Sequence, residues 1–173
     1  MHGERSLYSS DWVSLGLVDV EVPDGPRFDH HVVRLPRPAA GVVVADPGRG
    51  VLLLWRHRFI TGTWGWEVPA GGVDPGEDVA QGAAREVLEE TGWSPGPLRR
   101  LHSYHQTNGL SDQRFELFAA DGAVHVGAPT DPAESERVEW VPVERVRALL
   151  REGQVTDGLS LTALLWWLAF EAC

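Results

Sequence analysis

The sequence predicts a single mixed α/β domain. Short β-rich apolar runs recur along its 173 residues. Two of them, residues 40–45 (AGVVVA) and 51–55 (VLLLW), are apolar almost without a break, as strands covered on both faces are. Helix-forming stretches with their own stop signals fall between and after the strands, a pattern that points to helices packed on a sheet.

The elements follow in order. Residues 13–22 are partly alternating and residues 30–35 resume the extended pattern, with the turn signal Pro23-Asp24-Gly25-Pro26 between them. Residues 40–45 and 51–55 are joined by Asp46-Pro47-Gly48-Arg49-Gly50 and predict a hairpin. Residues 64–69 predict a short strand. Residues 78–91 predict a helix, stopped by Gly92. Residues 101–105 and 115–119 predict strands flanking a polar loop, 106–113. A strand at 138–141, a helix at 144–152 ending at Gly153, and a last helix at 160–170 complete the chain. In that last helix Leu161, Leu164, Leu165 and Leu168 are the expected apolar face. There is no internal repeat and no low-complexity linker, so one domain is expected over 1–173, with about 1–36 as an N-terminal strand extension.

Composition removes several function classes. The formal net charge of -10 argues against a general binder of nucleic acid or anionic membrane, since both need a positive surface. No apolar run reaches the roughly 18 residues of a membrane span. The first ten residues, MHGERSLYSS, lack the basic-then-apolar pattern of a signal peptide. The sequence contains no Lys, which excludes P-loop and Schiff-base chemistry. Its one cysteine, Cys173, can form no internal disulfide, so a reducing cytoplasm is expected. His30, His31, His102 and His105 lack zinc-ligand spacing.

The chemistry concentrates in residues 71–93, GGVDPGEDVAQGAAREVLEETGW. At about 100° per residue, Glu86, Glu89 and Glu90 fall within an arc of roughly 100°. Ala80, Ala83, Ala84, Val87 and Leu88 are then expected to pack on the sheet. Arg85 precedes Glu89 by four residues, close enough to pair with it. A solvated acidic face is the plain alternative. Against it, these carboxylates lie in the last turn, where the helix dipole disfavours negative charge, and like charges at i,i+4 repel. Such a cluster of hard oxygens suits Mg²⁺ or Mn²⁺ rather than Zn²⁺.

Gly71, Glu77, Arg85-Glu86-Val87, Glu89-Glu90 and Gly92-Trp93, at these spacings, resemble the Nudix box. The one departure is Trp93, where an aliphatic residue is usual. The resemblance implies the Nudix α/β/α sandwich with a mixed β-sheet, and hydrolysis of a nucleoside diphosphate linked to another moiety. It also implies Mg²⁺ (or Mn²⁺) held mainly by Glu86 and Glu90, helped by Glu89 and the carbonyl of Ala70. Glu77 and Arg85 would fasten the loop to the helix, and Glu89 and Arg85 count with the catalytic set.

Outside the box the chain resembles the ADP-ribose pyrophosphatase branch, through Glu67-Val68-Pro69-Ala70-Gly71 and Arg56-His57-Arg58. The branch often has a Gln, an aromatic residue and an Arg at the latter three positions. Arg58, with Arg56 beside it, matches a diphosphate contact; surface charges at a strand end are the alternative. Asn108-Gly109-Leu110-Ser111-Asp112 resembles a substrate loop in which Asn108 replaces the usual Pro, with Gly109, Leu110 and Ser111 as contacts; a plain polar turn is the alternative. Residues 132–140 resemble a mobile acidic loop, with Glu136, or else Glu134, as general base. Trp12 and Phe28 would stack on the base, which implies a homodimer with a partly exchanged N-terminal hairpin; ordinary sheet packing is the alternative. The expected reaction is ADP-ribose plus water giving AMP and ribose 5-phosphate. Another NDP-sugar, a dinucleotide, a nucleoside triphosphate, or nucleotide sensing without cleavage are the other readings. No nucleic-acid or membrane partner is expected.

Overall fold

The computed structural model describes residues 1–130 and 136–172. β1 (Gly3–Ser9), β2 (Ser14–Glu21) and β3 (Arg27–Arg34) form a three-stranded antiparallel sheet in chain order. β1 was not predicted. All seven of its residues are exposed, so no alternation betrays it, and backbone pairing to β2 holds it, with Gly3 opposite Asp19 and Arg5 opposite Leu17. Arg34 ties this sheet together and to the body, donating to Glu4 and to Asp112.

The main sheet has seven strands and both strand directions. It contains β4 (Ala39–Asp46), β5 (Gly50–Arg58), β6 (Thr63–Glu67), β7 (Ala70–Gly72), β9 (Leu98–His105), β10 (Arg114–Asp121) and β12 (Arg137–Val141). The order is β12-β5-β4-β10-β9, with β6 paired to β5 and β7 to β4; β4 and β10 run parallel. β8 (Trp93–Pro95) and β11 (Ala123–His125) make a small antiparallel pair beside it.

The predicted hairpin at 40–55 is paired only next to its turn, at Ala45–Val51 and Asp46–Gly50. Beyond these pairs the strands part. β6 pairs along β5 from Leu54 to Arg58, and β7 along β4 from Ala39 to Gly41. This opening brings β7 and the end of β5 to either side of one carboxylate, described below.

The unbroken apolarity of β4 and β5 is explained by helices on both faces. Ala40, Val42, Val44 and Leu52 pack with Ala83 and Val87 of α1 (Val79–Thr91). Val43, Val51 and Leu53 pack with Val146 and Leu149 of α2 (Val143–Arg151) and with Leu159, Ala163, Leu164 and Trp167 of α3 (Gly158–Phe170). The architecture is an α/β/α sandwich. In α3 the buried face is Leu159, Ser160, Ala163, Leu164 and Trp167, while Leu161 and Leu165 are exposed. That helix is apolar nearly all round, so periodicity could not select the face. α1 also differs from expectation: Leu88 points outward, and Glu90 lies on the sheet side with Ala83 and Val87. Positions 83, 87 and 90 form one i, i+4, i+7 line, so the ridge that packs on the sheet ends in a carboxylate.

Candidate active site

Asp78 starts α1 by accepting from the backbone N–H groups of Ala80 and Gln81, at 3.0 and 3.1 Å. Gly92 ends it in a left-handed conformation, φ 73°, where a Cβ would lie 2.0 Å from the carbonyl oxygen of Gly127. Between these caps Arg85 is the hub. Its Nε donates to Glu77 Oε1 at 3.0 Å, and Nη1 donates to Glu86 Oε1 at 2.7 Å and to Glu89 Oε2 at 2.9 Å. Nη2 donates to Gly72 O and Glu77 Oε2, each at 3.1 Å. One guanidinium therefore joins β7 and Glu77 of the loop after it to Glu86 and Glu89 of the helix. Hydrogen bonding to Glu77 raises the pKa of Arg85. In return Arg85, with the backbone N–H of Asp74, holds the Glu77 carboxyl below its usual value of 4.5.

Glu86 lies directly over Gly71, where a Cβ would stand 2.1 Å from Glu86 Oε2. Any side chain on residue 71 would occupy the place of the carboxylate, which is the local reason for glycine at the head of the segment. Glu90 is only 2% exposed. Its Oε2 accepts from the Ala70 N–H at 2.9 Å and its Oε1 from Arg56 Nη2 at 2.6 Å. It thus spans the opening between β7 and β5.

Strand alternation places Arg56 on the α1 side of β5 with Leu52 and Leu54, and Glu67 is the direct partner of Leu54 on β6. Arg56 is 4% exposed, with Nη1 3.9 Å from Glu67 Oε2. Arg58, half-exposed, donates from Nε to Glu67 Oε1 at 2.9 Å and from Nη2 to Oε2. That hydrogen bonding raises the Arg58 pKa. Glu67, Arg56 and Glu90 are all buried. The sequence drew attention to Glu67 without giving it a role; its partner position on β6 is what links Arg58 to the centre.

The donor set fits a hard divalent cation. Glu86, Glu89 and Glu90 supply carboxylate oxygens at the end of α1, beside Ala70 and Gly71. Among the described residues no three acidic, His or Cys side chains converge as a finished cage. Instead the positive charge beside these carboxylates comes from Arg85 on Glu86 and Glu89 and from Arg56 on Glu90.

A cavity of about 430 Å³ opens onto this centre, lined by Trp12, Arg37, Gly71, Gly72, Arg85 and Glu86 among others. Trp12 is 75% exposed, and the Arg37 guanidinium lies 5.6 Å from its ring centre. Arg37 also pairs with Asp74 at 2.7 Å. The sequence reading missed Arg37; its only signal is an arginine between Pro36 and Pro38 ahead of β4. Phe28 stands elsewhere. It pairs with Val20, whereas Ser14, two residues after Trp12, pairs with Arg34, so six residues of β2, roughly 20 Å, separate the two ends. One chain does not bring both rings to one base. Gly109, Leu110 and Ser111 dock on β3: His30 Nε2 lies 2.9 Å from Gly109 O, and Val33 N donates to Leu110 O at 2.8 Å. Glu136 is exposed, with its backbone N–H donating to Trp55 O at 2.9 Å, one residue before Arg56. Glu134 lies outside the described residues.

The NUDIX domain family matches residues 35–161, and the chain belongs to that family. It is an enzyme similar to ADP-ribose pyrophosphatases. It is 42% identical over 163 residues (94% of this chain, 79% of the relative) to the CMP-5'-(N-acetyl-N-hydroxy-3-aminopropyl)phosphonate hydrolase of Streptomyces rubellomurinus. It is 26% identical to the ADP-ribose pyrophosphatase of Bacillus subtilis (98% of this chain, 92% of the relative) and 29% identical to that of Mycobacterium tuberculosis (93% and 79%). A solved structure described as an ADP compounds hydrolase superposes with a TM-score of 0.85 at 19% identity, over 98% of this chain and 91% of that one, which establishes the fold. Among the described residues no helix is long and apolar enough to cross a membrane.

Proposed function

We propose that this protein is a Mg²⁺-dependent pyrophosphohydrolase, acting in the cytoplasm, that cleaves a nucleoside diphosphate linked to a second moiety. ADP-ribose, giving AMP and ribose 5-phosphate, is the first candidate substrate. The observation that carries the reading is the shared cavity: Glu86, on its glycine, faces the same space as the exposed ring of Trp12. A diphosphate at the carboxylate end and a base stacked at the aromatic end account for both.

Glu86 and Glu90 would hold the ion, with Glu89 and the Ala70 carbonyl assisting. The bound ion would polarise the diphosphate and lower the pKa of an attacking water. Arg85 and Glu77 keep the loop and the helix in register. Arg58 is half-exposed, and the end of its guanidinium that does not engage Glu67 would meet phosphate oxygens. Glu136, or Glu134, would take the water's proton.

A second reading has its own support. The relative at 42% identity acts on a cytidine monophosphate joined to a phosphonate. On that analogy this chain would release CMP from a cytidine-linked substrate, by hydrolysis of the phosphorus anhydride. Both readings are tested by incubating the protein and Mg²⁺ with ADP-ribose, with CDP-linked conjugates and with a nucleotide panel, and resolving the nucleoside monophosphates by ion exchange. AMP from ADP-ribose supports the first reading and CMP alone supports the second. No monophosphate from any substrate would sink both.

A further inference from the structure

We infer that Arg56 is the internal counter-ion that sets the divalent-metal affinity of the carboxylate centre. This rests on the metal-site reading above. Arg85 and Arg56 both compensate carboxylates of the centre, but they differ in burial. The Arg85 side chain is 30% exposed, at the helix surface, where solvent screens its charge on Glu86 and Glu89. Arg56 is fixed inside β5, with Nη2 2.6 Å from Glu90 Oε1 and Nη1 3.9 Å from Glu67 Oε2.

A guanidinium keeps its proton at any working pH, so its charge persists whether or not an ion is bound. An ion arriving at Glu90 adds positive charge beside one that cannot leave. Arg56 therefore keeps Glu90 ordered and paired without the ion, and weakens ion binding when it comes. Glu67 acts in the opposite sense. It draws Arg56 toward β6 and offsets its charge, and Arg58 holds Glu67 in that position. Both residues are positioning residues, acting on the ion through charge rather than by ligation.

The test is direct Mn²⁺ binding to the full-length protein, read from the free-ion signal in electron paramagnetic resonance. Each variant is first checked for native circular dichroism. Arg56→Gln should bind Mn²⁺ about tenfold more tightly than wild type, and Glu67→Gln about tenfold more weakly, the scale expected for one unit charge a few ångströms away in a partly screened site. Arg56→Lys, which keeps the charge, should bind within about threefold of wild type. Damage to the site alone would weaken binding in both neutral variants, so the opposite signs distinguish the two explanations. A folded Arg56→Gln protein that binds Mn²⁺ no more tightly than wild type overturns the inference. If that variant does not fold, a Glu67→Gln protein that binds as tightly as wild type overturns it equally. A wild-type protein that fails to bind Mn²⁺ at all removes the metal-site reading itself.

Discussion

The carboxylate of Glu86 rests against the α-carbon of Gly71, so close that a Cβ there would lie 2.1 Å from Oε2 and 2.2 Å from Cδ. Gly71→Ala is therefore a test of Glu86 placement made without touching Glu86. The new methyl must push a flexible side chain aside, while the β7 backbone pairing to Ala40 is unaffected. Stability should change by about 1 kcal/mol or less, whereas turnover should fall about 100-fold, the scale of a misplacement near 1 Å. Steady-state kinetics and a thermal melt measure the two; a kcat within a few-fold of wild type would contradict the site.

Glu89 and Glu90 are neighbours in sequence with opposite surroundings, and the same substitution should separate them. Glu90 is buried against Arg56, and loss of one partner from such a pair costs about 3–5 kcal/mol. The Glu89 side chain is 43% exposed, and its bond to Arg85 is worth about 1 kcal/mol or less. Urea unfolding in EDTA should show Glu90→Gln several times more destabilised than Glu89→Gln. Equal losses would mean that Arg56 does not depend on Glu90 for its compensation. Turnover should also be lost in Glu90→Gln.

That contrast marks where the sequence was informative. The box residues and the stop at Gly92 are local features, and local chemistry made them legible. The apolar runs of β4 and β5 announced two covered faces, and alternate residues do pack against helices on opposite sides. The separation of these strands was not legible, because pairing beyond the turn depends on β6, β7, β10 and β12. Arg56 was not legible as a buried residue either. Arg-His-Arg at a strand end reads as surface charge, and its burial is compensated by Glu90 and Glu67, which arrive from other elements. β1 gave no signal, since its side chains bury nothing.

The Glu77–Arg85 pair gives a pH dependence of known sign. The folded Glu77 pKa lies below its usual value of 4.5, with the Arg85 hydrogen bonds as the leading cause. The unfolded chain thus binds this proton more readily, and stability from this group is complete above the unfolded pKa and is lost as pH falls through the folded one. Wild type and Glu77→Gln, unfolded in parallel, should differ by a constant amount above about pH 5, and the gap should close at lower pH. A gap unchanged down to pH 3 would show that the carboxylate is not held in its ionised form by Arg85.

Trp12 and Phe28 make the last prediction, and it bears on assembly. Trp12 lines the cavity that holds Glu86, while Phe28 lies at the far end of the β2–β3 hairpin in an edge-to-face contact with His30. If Trp12 stacks on the base, Trp12→Ala should raise KM about tenfold or more, as loss of one stacking platform does, with kcat nearly unchanged. Phe28 of the same chain is out of reach, so in a monomer Phe28→Ala should leave both constants alone. In a homodimer with exchanged N-terminal sheets, the Phe28 ring would come from the second copy and its loss would raise KM as well. Sedimentation analysis beside the kinetics separates these cases. A monomer whose KM rises with Phe28→Ala would contradict the placement of that ring, and a dimer indifferent to it would remove the shared-base proposal while leaving Trp12 in place.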